Sequence, residues 1–207
     1  MSKEFVNPDA KQKAINAKKH ALILIQGAGQ ARAGVWSKQV AISENFELGT
    51  MLPQLDWAVK LNDYAVLVMN PNQNKSEETG KRVPLNETMS NHATHIWKNY
   101  VLNSGFEEIF VIAFSAGGNC LTSIMQQNPD TFYNQVSRIA YTNSMIIERS
   151  ALQPQQQQWL SERAVHLIAS PQPLGVAESG ETTLLKHMSA GHKKHDYVTG
   201  SAMPLIM

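Results

Sequence analysis

An α/β fold, a three-layer sandwich with a mostly parallel sheet and helices on both faces, is what this 207-residue sequence predicts. Two observations carry the prediction. Five short apolar runs rich in Ile, Val and Leu recur along the chain, each closed by small or turn-forming residues, which is how strands buried on both faces read. Amphipathic stretches at helical spacing lie between them, and strands alternating with helices imply right-handed crossovers. With 43% apolar residues the chain can bury a sizeable core without staples.

The runs come in order. Residues 21–25 end in Gln26-Gly27-Ala28-Gly29, and residues 64–69 end in Asn70-Pro71-Asn72. Residues 109–114 lead into Ser115-Ala116-Gly117-Gly118, the shorter run 139–141 into Thr142-Asn143-Ser144, and residues 164–169 into Ser170-Pro171. Thr50 is placed to cap a helix reaching about residue 62, with Leu52, Leu55, Ala58 and Val59 facing inwards. Met89, Ala93, Ile96, Trp97, Tyr100 and Val101 make one apolar stripe, closed by Gly105. Cys120, Leu121, Ile124 and Met125 mark another helix, and residues 154–163 a further one. Residues 31–49, containing Trp36, and the polar residues 70–86 read as long loops, of the kind that carry function or are disordered. No repeat or linker divides the chain, so residues 1–207 are expected to form a single domain.

Composition narrows the function classes. Cys120 is the one cysteine, which rules out an internal disulfide and fits a reducing compartment. The first 19 residues are polar, and no run approaches the roughly 18 apolar residues of a membrane span. An intracellular protein of cytoplasm or nucleus, without membrane attachment, is expected. A net charge of +1 gives no bias towards nucleic acid, and Lys11, Lys13, Lys18 and Lys19 read as a solvated helix face.

The chemistry centres on Ser115. A strand running straight into a serine followed by small residues is the pattern of a nucleophile elbow, whose neighbours two before and two after must be small. Those neighbours are Ala113 and Gly117, in A-F-S-A-G rather than G-x-S-x-G. The alternative is a serine that caps a helix after a buried strand. An elbow would aim the Ala116 N–H at a developing oxyanion, and the turn at Ala28 and Gly29 is where an alpha/beta hydrolase supplies its second oxyanion donor. As a dinucleotide fingerprint, G-A-G-Q-A-R is a poor match, and no P-loop lysine follows. In the chain order serine, acid, histidine, the base falls on His195 in a loop-like stretch. His166 lies within a strand and reads as structural; His92 and His95 read as solvated on the outside of a helix. His187, His192 and His195 lack a regular ligand spacing, so no metal or other cofactor is expected. The acid slot holds Asn143 after the fourth run, or Glu178 beyond the fifth. Asn143 can orient an imidazole through its side-chain carbonyl, but it cannot stabilise an imidazolium as a carboxylate does.

Taken in order, residues 23–29, 32–36, 49–53, 68–72, 113–118 and 189–195 resemble the argonaute-binding-protein-two (Arb2) domain over about residues 21–207. The resemblance implies an alpha/beta-hydrolase-like fold, with Ser115 and His195 on the nucleophile and base positions. It also implies acidic residues in the slots of Asn143, Gln172 and Gly175, where this sequence departs. Roles in that family are mostly those of complex subunits, in an argonaute chaperone and in cotranscriptional regulators. Two expectations follow. One is a serine esterase or thioesterase in which Ser115 attacks a small ester-like substrate, His195 is the base, Asn143 or Glu178 orients it, and Trp36 with residues 70–86 shapes the acyl pocket. The other is a catalytically inactive subunit that binds a protein partner, an argonaute or chromatin complex by resemblance, with no direct contact to nucleic acid.

Overall fold

The computed structural model describes residues 18–178 and 184–207; Lys11 and Lys13 of the basic run lie outside them. Six strands make one sheet: β1 His20–Ile25, β2 Ala65–Met69, β3 Glu108–Phe114, β4 Val136–Thr142, β5 Ala164–Ile168 and β6 Lys186–Ser189. All are parallel, in the order β2-β1-β3-β4-β5-β6. Ile25 pairs with Met69 on one side and Ala113 on the other, so β1, β2 and β3 finish level. The chain leaves β1 towards β2, then crosses back to the other side of β1 to make β3. The carboxyl ends of β1 and β3 therefore flank a topological switch point, the position where open α/β sheets bind ligands.

Both faces of the sheet are covered. Leu22, Leu24, Ile112 and Phe114 point to one face, Ala21, Ile23, Ile25, Val111 and Ala113 to the other. Over the first face lie α1 Lys38–Ser43, α2 Phe46–Gly49 and α3 Leu52–Leu55, which continues as a π-helical turn over Asp56–Leu61. Over the second lie α4 Met89–Ile96 with a π-helical extension Trp97–Val101, α5 Gly117–Gln127, α6 Pro129–Gln135 and α7 Pro154–Arg163. The chain then returns to the first face with α8 Val198–Ser201 and α9 Met203–Ile206. Leu22, Ile23, Leu24 and Ile25 are all at most 2% exposed, and each such side chain contributes roughly 1.5–3 kcal/mol of burial. No described helix is long and apolar enough to cross a membrane.

Several expectations are corrected. β4 is longer than the run 139–141, and β6 is a sixth strand beyond the five expected: its Lys-His-Met-Ser is an edge strand with no apolar run to mark it. In α3 the inward face differs. Ala58 is buried as expected, but Leu52 and Val59 are 52% and 56% exposed and Gln54 is buried in their stead. The turn from Asp56 follows the wider i→i+5 spacing, which rotates successive residues away from a 3.6-residue stripe. The same widening at Trp97–Val101 turns Tyr100 outwards. Residues 31–49 are not irregular throughout, because Ser37 and Asn45 cap α1 and α2 by accepting from Val40 and Leu48 N–H. Trp36 is buried edge-on to Phe114, and its Nε1–H donates to Gln54.

Candidate functional site

Ser115 follows the last residue of β3 and has φ +53°, a left-handed conformation that costs a non-glycine residue roughly 1–2 kcal/mol. The surroundings hold it there. Its N–H donates to Thr142 O at 3.1 Å, and its carbonyl accepts from Gly118 N–H at 3.2 Å, Met145 N–H at 3.1 Å and the Ser144 hydroxyl at 2.7 Å. The small neighbours are dictated by contact. A Cβ on Gly117 would lie 2.6 Å from Ile25 O, and one on Gly118 only 1.8 Å from Met145 O. Ala113 is fully buried between its partners on β1 and β4. Gly27 lies so close that its Cβ would be 2.8 Å from that of Ser115.

Two backbone N–H groups near the serine are uncommitted. Ala116 stands at the N-terminus of α5, and among the described residues neither its N–H nor that of Ala28 is given to a protein acceptor. Gly29 N–H, by contrast, donates to Asn72 Oδ1 at 3.2 Å. The Asn72 amide also donates to Gly27 O and Ala31 O at 2.8 and 3.3 Å, which pins the turn after β1 to the loop after β2. Buried Gln26 braces the same turn through Ala31 O at 2.9 Å.

His195 begins a short 3₁₀ turn, His195–Tyr197, and its ring packs against Phe114 with centroids 4.8 Å apart. Its Nδ1 is met by the amide nitrogen of Asn143. This is the opposite end of the amide from the one expected, because Asn143 Oδ1 accepts from Ala169 N–H at 3.1 Å. Glu178 makes its contact elsewhere, accepting from the Ser170 hydroxyl, while its own N–H donates to His187 O. A cavity of about 500 Å³ opens between these groups, lined by Ala28, Gly29, Trp36, Lys38, Ser115 and His195 among others. A more apolar cavity of about 360 Å³, walled by Trp57, Tyr64 and Phe110, lies towards the opposite ends of the strands and includes none of the predicted site residues.

Two other histidines support the loops. His166 Nε2 accepts from Ser144 N–H at 3.0 Å; burial, and then neighbouring His187, push its pKa down to about 4. His92 is buried rather than solvated: its Nε2 accepts from Asn70 N–H at 3.1 Å and its Nδ1 pairs with Asn86 Oδ1. Burial lowers its pKa, with a smaller contribution from His95. Asn72, Ser144 and His92 were not foreseen as site supports; Asn-Pro-Asn after a strand is the one local signal that could have pointed to Asn72. The Cys120 thiol, buried within α5, is pushed up to about 12 and is inert as a nucleophile.

A parallel sheet of this order, with a left-handed serine between its third strand and the following helix, defines an alpha/beta-hydrolase-like protein. The chain belongs to the Arb2 domain family, whose model matches residues 12–174. Among curated relatives, a cotranscriptional regulator ARB2A homolog of Gallus gallus is 24% identical over 236 residues, covering 89% of this chain and 56% of that protein. Human cotranscriptional regulator ARB2A is 23% identical, with the same coverage of 89% and 56%. A FAM172 family protein homolog of Caenorhabditis elegans is 34% identical over 131 residues, 62% of this chain and 40% of that one. The chain thus spans about half the length of the curated relatives it matches. Among solved structures, a histone deacetylase from Saccharomyces cerevisiae gives a TM-score of 0.47 at 10% identity, over 74% of this chain and 64% of that one.

Proposed function

We propose that residues 1–207 form a single hydrolase-fold binding module, a subunit of an intracellular assembly linked to transcription or RNA silencing, whose Ser115 cleft does not turn over. The observation that carries this reading is what stands beside His195: a neutral amide, Asn143, in the place of an acid, while Glu178 is engaged by Ser170. An amide in that slot costs a serine protease about 10⁴ in kcat with the geometry intact. The names of the relatives, cotranscriptional regulators, support an assembly of that kind in nucleus or cytoplasm. A fluorophosphonate probe tests the cleft. Wild type followed by intact mass should label no faster than Ser115→Ala, and both proteins should capture the same stoichiometric partner from native extract. Recovery of no such partner would count against the module.

The second reading is an active serine esterase or thioesterase. Its support is the strained Ser115 beside two uncommitted donors, the Ala116 and Ala28 N–H groups. Ser115 Oγ would attack the acyl carbon, and His195 would take its proton and return it to the leaving group. The two N–H groups would hold the oxyanion. Labelling of wild type that is lost in both Ser115→Ala and His195→Ala would favour this reading over the first.

A further inference from the structure

The orientation of one side-chain amide decides what His195 presents to the cleft. Asn143 is fixed at three points. Its φ is +41°, its N–H donates to Leu167 O at 2.7 Å, and its Oδ1 accepts from Ala169 N–H at 3.1 Å. Turning the amide over would set its NH2 against the Ala169 N–H, donor against donor, so the NH2 must face His195. An amide nitrogen has no lone pair to offer, and Nδ1 of the imidazole therefore accepts. The ring's single proton is left on Nε2.

We propose that Asn143 is a positioning residue that holds neutral His195 as the Nε2–H tautomer, so that the cleft meets a hydrogen-bond donor where a hydrolase offers a base. This rests on reading the Ser115 cleft as a hydrolase-type site, and it supplies the physical reason for silence there. A general base needs a lone pair on Nε2, and the imidazolium it forms would set Nδ1–H against the Asn143 amide hydrogens. Asn143→Asp removes both obstacles with one near-isosteric change. One carboxylate oxygen keeps the Ala169 N–H, and the other accepts from Nδ1–H, which frees Nε2. With a fluorophosphonate, Ser115 Oγ then bonds to phosphorus and the P–F bond breaks. Fluoride leaves with the electron pair, and the serine proton passes to Nε2.

The test pairs ¹⁵N NMR of the ring nitrogens with the rate of fluorophosphonate labelling. Wild-type His195 should show a protonated Nε2 and an unprotonated Nδ1. In Asn143→Asp the pattern should reverse and labelling should accelerate by roughly 10²–10⁴-fold. The gain should vanish on adding Ser115→Ala or His195→Ala. Asn143→Ala, which lifts the amide block but offers Nδ1–H no acceptor, should gain less than Asn143→Asp; an equal gain in both would overturn the role given to the side chain at this position. A wild-type Nδ1–H tautomer overturns the proposal while leaving the partner-binding reading intact. So does a folded Asn143→Asp whose tautomer has switched without faster labelling. Fast labelling of wild type with its Nε2–H tautomer confirmed would instead overturn the non-turnover reading.

Discussion

At the scale of single residues, Ser115 has a backbone that works against its side chain, a strain shared among the described residues with Asp63, Leu85 and Asn143. Its left-handed φ of +53° is imposed by the four hydrogen bonds to Thr142, Gly118, Met145 and Ser144. Glycine would adopt that conformation freely, a relief of roughly 1–2 kcal/mol, set against roughly 0.5–1 kcal/mol for its greater freedom when unfolded. Ser115→Gly should therefore be as stable as wild type, or more stable by up to about 1.5 kcal/mol, whereas Ser115→Ala keeps the strain. Urea midpoints with unchanged m-values decide it, and a Gly variant well below the Ala variant would show that the turn is unstrained. Gly118 makes the opposite case. A Cβ there would sit 1.8 Å from Met145 O, and backbone cannot retreat as a side chain can. Gly118→Ala should cost at least ~2 kcal/mol and pull the Asn143 loop away from β3, readable as a lowered urea midpoint.

Elements were legible in proportion to how local their signal is. β1, β3 and β5 appear as apolar runs because both faces are covered, and α7 because Pro154 opens it and the apolar Trp159 and Leu160 point towards the core. β6 had no such run, and α3 carried a helical stripe that the π-helical turn at Asp56 displaced, a change of register set by packing rather than by residue type. The site divides in the same way. Ser115 and its small neighbours are neighbours in sequence, so the turn could be read directly. That the Asn143 amide faces His195 with its nitrogen depends on Ala169, 26 residues away, and no pattern in the chain encodes it. Asn72 is a further long-range tie of this kind, holding three groups of the turn after β1. Asn72→Ala should leave global stability within about 1–2 kcal/mol of wild type. Amide exchange at Gly29, whose N–H donates to Asn72, should quicken by an order of magnitude or more, and unchanged exchange there would mean the turn is held by other contacts.

Across the whole molecule, three histidines join layers and loops and share one electrostatic sign. His166 links β5 to the loop after β4, His92 links α4 to the loop after β2, and His187 stands against His166 from β6. Burial lowers the pKa of each. A histidine in the unfolded chain takes up its proton near pH 6.5, while folded His166 holds out to about 4. Between those values the unfolded state binds more protons, so stability falls as pH falls. For His166 the difference of 2.5 units between 6.5 and about 4 amounts to roughly 3 kcal/mol, fully lost only below pH 4. His92 and His187 act in the same direction, with smaller effect because they are less deeply desolvated. Urea unfolding from pH 7 to 4 should show this decline, and His166→Gln, which keeps an acceptor for Ser144 N–H without a titrating group, should flatten it. The variant curve should cross above wild type towards pH 4 even if it starts below at pH 7. Parallel curves for the two proteins would place the acid sensitivity in groups other than His166.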